Sequence, residues 1–296
     1  MRTLVFTDLD GTLLAHDSYS WAGARPALQE LRRRRIPLIF CTSKTRAEVR
    51  SLRTAMGNTD PFIVENGGVV VIPSARSSRN ASPEKTRARS IVLGRPYDEV
   101  VAALRKIARR THVAVVGFHE MSDQQVAEKT GLSVKEAHLA RERETGEPFL
   151  FRDASNREIR AFVRAAHELG YTVQRGGRFW HFSANCDKGL ALSTVVSFYR
   201  AAWKTDVLTI GLGNSENDLP MLQLVDQPIL MPEMDGSYAK AIMSAVPGVV
   251  RAADTGPAGW GRAVLRALVQ NSGRAPGSAR PDTSRVDIHR LPRYAT

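Results

Sequence analysis

Two cysteines, Cys41 and Cys186, are all that the 296 residues contain. They cannot make a disulfide framework, so a packed core must hold the fold, and a reducing cytoplasm is the expected compartment. Long apolar runs are missing too. None approaches the roughly 18 residues that a membrane helix needs, so no membrane span is expected. The first residues run directly into an acidic loop, which does not match a signal peptide. Acidic residues are in deficit, 30 against 42 lysines and arginines, for a net charge of +12. Such an excess invites nucleic acid. The basic residues are nevertheless scattered over expected helix surfaces and the C-terminal tail. The one dense run, Arg32 to Arg35, closes a helix, where cations suit the dipole. Nucleic acid is therefore not expected, and an anionic small substrate accounts for part of the charge. The remaining composition, 43% hydrophobic and 24% charged, is that of a globular chain.

What is present begins with FTDLDGTLL, Phe6 to Leu14. An apolar run ends in Asp8 and Asp10, followed by Gly11 and Thr12, which reads as a buried strand feeding a loop. Helical spacing follows over 23–34, a second buried strand over 37–41, a helix over 45–56 and a third strand over 61–64. Glu65-Asn66-Gly67-Gly68 then turns the chain into a returning strand, 69–72. Strand–helix alternation of this kind predicts a doubly wound, mostly parallel α/β sheet. Residues 74–89 read as a linker or exposed loop. The block from 84 to 184 has a different rhythm: strands near 91–93, 112–118, 149–151, 171–175 and 179–183, with helices over 97–110, 122–129, 133–143 and 156–169. It is expected to be an α+β cap domain inserted into the first fold, whose core is 1–83 and 185–270. Residues 271–296, rich in Gly, Pro, Ser and Arg, are expected to be a flexible tail.

Four loops at strand ends or a helix start carry the chemistry: Asp8/Asp10, Thr42/Ser43, Lys188 and Asn214/Asn217/Asp218. Phosphoryl transfer needs a nucleophile, a proton donor for the leaving oxygen, a divalent cation and donors to the phosphate oxygens. Asp8 can attack phosphorus, and Asp10 can protonate the leaving oxygen and then activate water. Thr42, through its hydroxyl and backbone N–H, and the Ser43 amide can hold a phosphate oxygen. Lys188 can neutralise phosphate and nucleophile. Asp8, Asp10, Asn214, Asn217 and Asp218 offer the oxygen ligands that Mg²⁺ prefers.

These four elements, in this order, resemble the haloacid dehalogenase-like phosphatase superfamily with a type-two cap. The resemblance rests on Asp8-Leu9-Asp10-Gly11-Thr12, Thr42, Lys188 and Gly213-Asn214-Ser215-Glu216-Asn217-Asp218, and covers about residues 1–270. It implies Mg²⁺ as cofactor and a cap that closes over the sheet and selects substrate. A narrower likeness is carried by Cys41-Thr42-Ser43-Lys44-Thr45, Pro61 to Gly68, Thr130-Gly131-Leu132-Ser133, Ala140 to Arg143, Glu147-Pro148-Phe149 and Gly177 to His181. These stretches resemble mannosyl-3-phosphoglycerate phosphatases. The likeness implies hydrolysis of a mannosyl- or glucosyl-3-phosphoglycerate to the glycosylglycerate, a compatible solute. A broad sugar-phosphate phosphatase, a phosphomutase and a metal-poor binding homologue are the alternatives. The sequence says nothing of oligomeric state.

One departure from the superfamily pattern stands out. Its fourth motif usually opens Gly-Asp, and Asn214 stands where that aspartate is expected. Loss of an anionic ligand is expected to weaken Mg²⁺ binding. Among other residues, Ser43 and Lys44 are expected at the substrate, with a plain helix start as the alternative for Lys44. Asn66 is expected on the same rim. Arg141 and Arg143, two apart on a helix, should face different ways; one of them could reach a substrate carboxylate, with a solvated helix face as the alternative, and Arg143 is the expected substrate residue. Arg178 and His181, three apart on a strand, should take opposite faces, leaving His181 as the one in the cleft. Both cysteines are expected to be buried, inert thiols.

Overall fold

The computed structural model describes residues 1–73, 88–176 and 178–271. The expected linker falls almost entirely outside those residues, as do Gly177 and the tail beyond Asn271.

The chain opens with β1 (Arg2–Thr7), α1 (Arg25–Arg33), β2 (Leu38–Cys41), α2 (Arg46–Met56), β3 (Phe62–Val64), β4 (Val69–Ile72) and β5 (Arg89–Val92). It leaves the first sheet through α3 (Tyr97–Thr111), β6 (Val115–Gly117), α4 (Asp123–Thr130), α5 (Val134–Arg141), β7 (Glu147–Phe151), α6 (Asn156–Glu168), β8 (Thr172–Arg175) and β9 (Trp180–Ser183). It returns with α7 (Lys188–Trp203), β10 (Val207–Gly213), α8 (Leu219–Leu224), β11 (Gln227–Leu230), α9 (Lys240–Ala245), β12 (Val250–Arg251) and α10 (Gly256–Asn271).

The large sheet has the order β12-β11-β10-β1-β2-β3-β4-β5. It is parallel from β12 to β3 and antiparallel at β4 and β5. Helices cover both faces, which is why β1 reads as a continuous apolar run rather than an alternating one. Val5 packs into one buried layer with Ala27, Leu31, Trp260 and Val264. Leu4 and Phe6 pack into the other with Leu192, Val195 and Leu222. This is the doubly wound α/β fold that the alternation of elements predicts.

The second sheet, β6-β7-β9-β8, is antiparallel throughout. Its one face is covered by α3 and α6 through Leu104, Ile107, Phe149, Phe162 and Phe182. A separate cluster of Phe118, Met121, Val126, Ala137 and Phe179 holds α4 and α5. One strand expected in this block lies elsewhere. Residues 89–92 pair with β4, Ile91 opposite Val70, so the excursion away from the large sheet starts after β5. The sequence reading missed this because a strand carries no label saying which sheet edge it completes.

Local signals set the element ends that matter for the site. Thr45 and Glu48 form a capping box at the start of α2, and Gly57 ends it with φ +59°. Asp187 caps α7 by accepting from Leu190 N–H, which sets Lys188 as the first residue of that helix. Gly11 has φ +74°, and a Cβ there would sit 3.0 Å from Asn214 Nδ2, so only glycine brings the two loops this close.

Candidate active site

β1 and β10 lie side by side in parallel, and their carboxyl ends bring Asp8 and Asn214 to one point of the sheet. This is the position where open α/β sheets hold their ligands. Between them rises Lys188, fully buried. Its Nζ lies 2.7 Å from Asp8 Oδ1 and 2.6 Å from Asp218 Oδ1. Asp218 Oδ2 accepts from the backbone N–H groups of Asn214 (2.9 Å) and Ser215 (3.0 Å). Both carboxylate oxygens of Asp218 are thus committed to the protein.

One ammonium here faces two buried carboxylates. Burial opposes the Lys188 charge, but Asp218 and Asp8 overcome it and hold its pKa above the ordinary value. Burial pushes Asp8 up to about 7, against the lowering pull of Lys188 and with a further raising push from Asp218. A group of two carboxylates and one ammonium carries a net negative charge that a cation would offset.

Asp10 turns outward. Its Oδ1 pairs with Lys44 Nζ at 3.1 Å, and Lys44 also approaches Glu48 at 3.6 Å. Burial disfavours the Lys44 charge, but Asp10 and then Glu48 more than restore it. Lys44 therefore lines the site as a cation paired with two carboxylates.

Asp8, Asp10, Ser43, Lys44, Asn214, Ser215 and Asn217 line a cavity of about 510 Å³. From the other side it is closed by Phe118, Leu132, Arg143, Arg178, Phe179 and His181. The cavity thus lies between the carboxyl edge of the large sheet and the inserted block, at the size typical of small-molecule sites.

Several expectations change in this geometry. The Thr42 N–H donates to Ile63 O at 3.1 Å, so it is spent on the sheet rather than free for a phosphate. The Thr42 hydroxyl oxygen accepts from Lys44 N–H at 3.2 Å, which leaves its own O–H as a donor. Asn66 is buried behind the cavity, and its Oδ1 accepts from Asn217 Nδ2 at 3.0 Å. It positions Asn217 rather than lining the rim. Asn217 Oδ1 in turn accepts from Ser215 Oγ at 2.5 Å. Its amide is thus engaged at both ends, as both oxygens of Asp218 are.

Arg141 and Arg143 do diverge. Arg141 pairs with Asp123 at 2.5 Å, away from the cavity. Arg143 lines it, held by the carbonyls of Gly146, Ala140 and Ser43. The expectation that Arg178 and His181 take opposite faces fails, since both line the cavity. The physical reason is that β9 begins only at Trp180, so strand alternation does not reach back to Arg178. Arg178 donates to Thr130 O and lies 3.4 Å from His16 Nδ1. His181 is neutral: burial, then the charges of Arg143 and Lys188, push it down to about 3. Cys41 and Cys186 are buried, and burial raises both thiols, Cys186 to about 12, so neither is a ready nucleophile.

Among the cavity residues that sequence reasoning missed are His16, Tyr19, Glu48 and Glu233. Glu48 lay unremarked within the helix expected over 45–56. Glu233 follows β11 and gave no signal, because its meaning depends on which strand lies beside β10. Its carboxyl is raised by burial and then by Asp235, while a hydrogen bond from the Asn214 side chain lowers it.

The donor set suits a hard cation. Carboxylate and amide oxygens from Asp8, Asp10, Asn214 and Glu233 line one cavity beside the net negative charge just described. Among the described residues, no three His, Cys, Asp or Glu side chains form a ready metal cluster. A site here would rely in part on amide or backbone oxygens.

A match to the haloacid dehalogenase-like hydrolases spans residues 5–243, and the chain belongs to that family. Two curated relatives narrow the comparison. Both are named glucosyl-3-phosphoglycerate/mannosyl-3-phosphoglycerate phosphatase. The protein of Methanococcoides burtonii is 38% identical over 92% of this chain and 99% of its own length. That of Persephonella marina is 36% identical over 90% of this chain and 97% of its own. Among solved structures, a haloalkanoate-superfamily phosphatase from Bacteroides thetaiotaomicron matches with a TM-score of 0.62 at 17% identity, covering 91% of this chain and 96% of that one. The sucrose-phosphatase from Synechocystis matches at a TM-score of 0.57 and 15% identity, covering 91% and 98%. At these identities the solved structures establish the shared fold alone.

Proposed function

We propose that this chain is a Mg²⁺-dependent phosphatase that hydrolyses a glucosyl- or mannosyl-3-phosphoglycerate to the glycosylglycerate and phosphate. The observation that carries the reading is Lys188, buried and bridging Asp218 and Asp8, the latter lining a cavity together with Asp10. The two curated relatives and their names support the substrate class.

In the first step a carboxylate oxygen of Asp8 attacks phosphorus, and the bond from phosphorus to the glycerate oxygen breaks. Asp10 gives its proton to the departing oxygen. The product is an aspartyl phosphate on Asp8 and a free glycosylglycerate. In the second step Asp10 takes a proton from water as that water attacks phosphorus. The acyl–phosphate P–O bond breaks, inorganic phosphate leaves and the Asp8 carboxylate is restored. Lys188 lies against Asp8 throughout, ready to offset charge that develops on the transferring group. Mg²⁺, held by Asp8, Asp10 and Asn214, would supply further neutralisation of phosphate charge.

The remaining lining divides by chemistry. Ser43 lies at the phosphate end, with the Thr42 hydroxyl buried behind it. Arg143 and Arg178 offer cations to the substrate carboxylate. Neutral His181 offers a hydrogen bond to sugar hydroxyls, and Phe118, Leu132 and Phe179 exclude water. Two buried free thiols and the absence, among the described residues, of a helix able to cross a membrane support the cytoplasm as its compartment. No nucleic-acid partner is proposed.

Acid quenching of the enzyme during turnover tests the covalent step. Mass spectrometry should find phosphate on the peptide containing Asp8. Phosphate on no peptide, or on another residue, would overturn the mechanism.

A further inference from the structure

Asn214 leaves the motif one negative charge short, and the fold places a replacement beside it. β10 and β11 are parallel neighbours, with Gly213 opposite Leu230. The chain beyond each strand therefore emerges at the same edge of the sheet, Asn214 from one and Met231-Pro232-Glu233 from the other. Met231 N–H still donates to Gly213 O at 2.8 Å, so the two segments stay in register past the strand ends. A tight turn then fixes Glu233: its N–H donates to Ser237 O at 2.8 Å, and its carbonyl accepts from Gly236 N–H at 2.9 Å. The Asn214 carboxamide is oriented from both sides. Its Oδ1 accepts from Thr12 Oγ1 at 3.1 Å, and its side chain lies close enough to Glu233 to favour that carboxylate's charge. Glu233 and Asn214 line the same cavity as Asp8 and Asp10.

We infer that Glu233 supplies to the Mg²⁺ site the negative charge that Asn214 lacks, so that the charge is displaced by one strand rather than lost. This rests on the reading of the site as a Mg²⁺ site. The amide at position 214 then has a definite purpose. An aspartate there would set a second carboxylate directly against Glu233, with Asp8 and Asp218 close by, and the repulsion would have to be relieved by metal or proton. An amide instead favours the Glu233 charge and adds no second negative charge beside it. Asp235 also lines the cavity, but it is exposed and its Oδ1 accepts from Ser237 N–H at 2.8 Å, so it holds the turn.

The test is metal affinity in the full-length protein without substrate. Free Mn²⁺ is followed by electron paramagnetic resonance at pH 8, and Mg²⁺ competition reports the native ion. Glu233→Gln should raise the Mn²⁺ dissociation constant at least tenfold. Asn214→Asp placed on that background should return it to within about threefold of the parent. Asp235→Asn should leave it within twofold. An unchanged affinity in Glu233→Gln overturns the inference, as does a loss that Asn214→Asp fails to restore. If the parent protein itself binds no Mn²⁺ or Mg²⁺ at millimolar concentration, the Mg²⁺-site reading fails and the role of Glu233 fails with it. Circular dichroism of each variant separates lost affinity from lost fold.

Discussion

Glu65, at the edge of the large sheet, holds Thr145 of the inserted block. Glu65 Oε2 accepts from Thr145 N–H at 2.9 Å and from its hydroxyl at 3.3 Å. The same carboxylate accepts from the N–H groups of Glu144 and Gly146 at 2.8 and 2.9 Å. One buried side chain thus satisfies three consecutive backbone donors in a segment 79 to 81 positions away. Gly68 makes this possible, since any Cβ there would collide with Thr145. Arg46 reinforces the joint by gripping Glu144 with two bonds of 2.8 and 2.9 Å. The segment so fixed leads directly from Arg143, which lines the cavity.

Replacing Glu65 by glutamine keeps the shape but turns an amide N–H₂ toward backbone donors. Stability should fall by about 1–3 kcal/mol, the usual cost of unsatisfied buried donors. Urea unfolding should show a lower midpoint with an unchanged slope, and KM should rise because Gly146, whose carbonyl is one of three that hold Arg143, loses its anchor. A loss below about 0.5 kcal/mol would show that the joint is not held by this carboxylate.

Asn66 tests positioning separately from stability. Its φ of +55° makes alanine a poor substitute, whereas glycine accepts that backbone. Asn66→Gly removes the acceptor of Asn217 Nδ2 and should lower kcat/KM by roughly tenfold, with a stability change near 1 kcal/mol or less. Unaltered kcat/KM would mean that Asn217 needs no such anchor.

How much of this was legible beforehand follows from the range of each interaction. Asp8, Asp10, Lys188 and the sheet that carries them were readable, because strand-end aspartates, a helix-opening lysine and the alternation of elements are local patterns. Glu65 was readable only as part of a turn, since its three partners lie far along the chain. The same holds for Glu233, whose neighbour is set by strand order. Thr42 illustrates a related limit: its N–H was read as free, but the chain beside β3 takes it through Ile63 O. Arg178 was misjudged through one boundary, because period-two reasoning was extended beyond the true start of β9.

Asp8 should trade stability for function. With its carboxyl pushed up to about 7, the ionised form is disfavoured in the folded protein. The sign follows from linkage: the folded state binds the proton more tightly than the unfolded one, so stability is lost as pH rises from about 4 through 7. At pH 8 without metal, Asp8→Asn removes that penalty and should raise Tm by about 2 °C or more, while abolishing turnover. Calorimetry checks it, and a lower Tm for the variant would contradict the charge count at Lys188.

The same raised carboxyl predicts that protons compete with Mg²⁺. Below about 7 Asp8 holds a proton that the metal must displace, so affinity should fall as pH drops from 8 to 6. Isothermal titration calorimetry in two buffers of different ionisation enthalpy should detect proton release on binding at pH 6.5. Affinity that is flat across this range would remove Asp8 from the metal site.

The most direct measurement is phosphate release in Mg²⁺ from glucosyl- and mannosyl-3-phosphoglycerate, beside glucose 6-phosphate and mannose 6-phosphate, for the parent and Asp8→Asn. The parent should turn over at least one glycosyl-phosphoglycerate with kcat/KM about 100-fold or more above either hexose phosphate, a gap of roughly 3 kcal/mol in transition-state binding. Asp8→Asn should release phosphate at least about 1,000-fold more slowly. Full turnover by Asp8→Asn, or no release from either glycosyl-phosphoglycerate by the folded parent, would contradict the account.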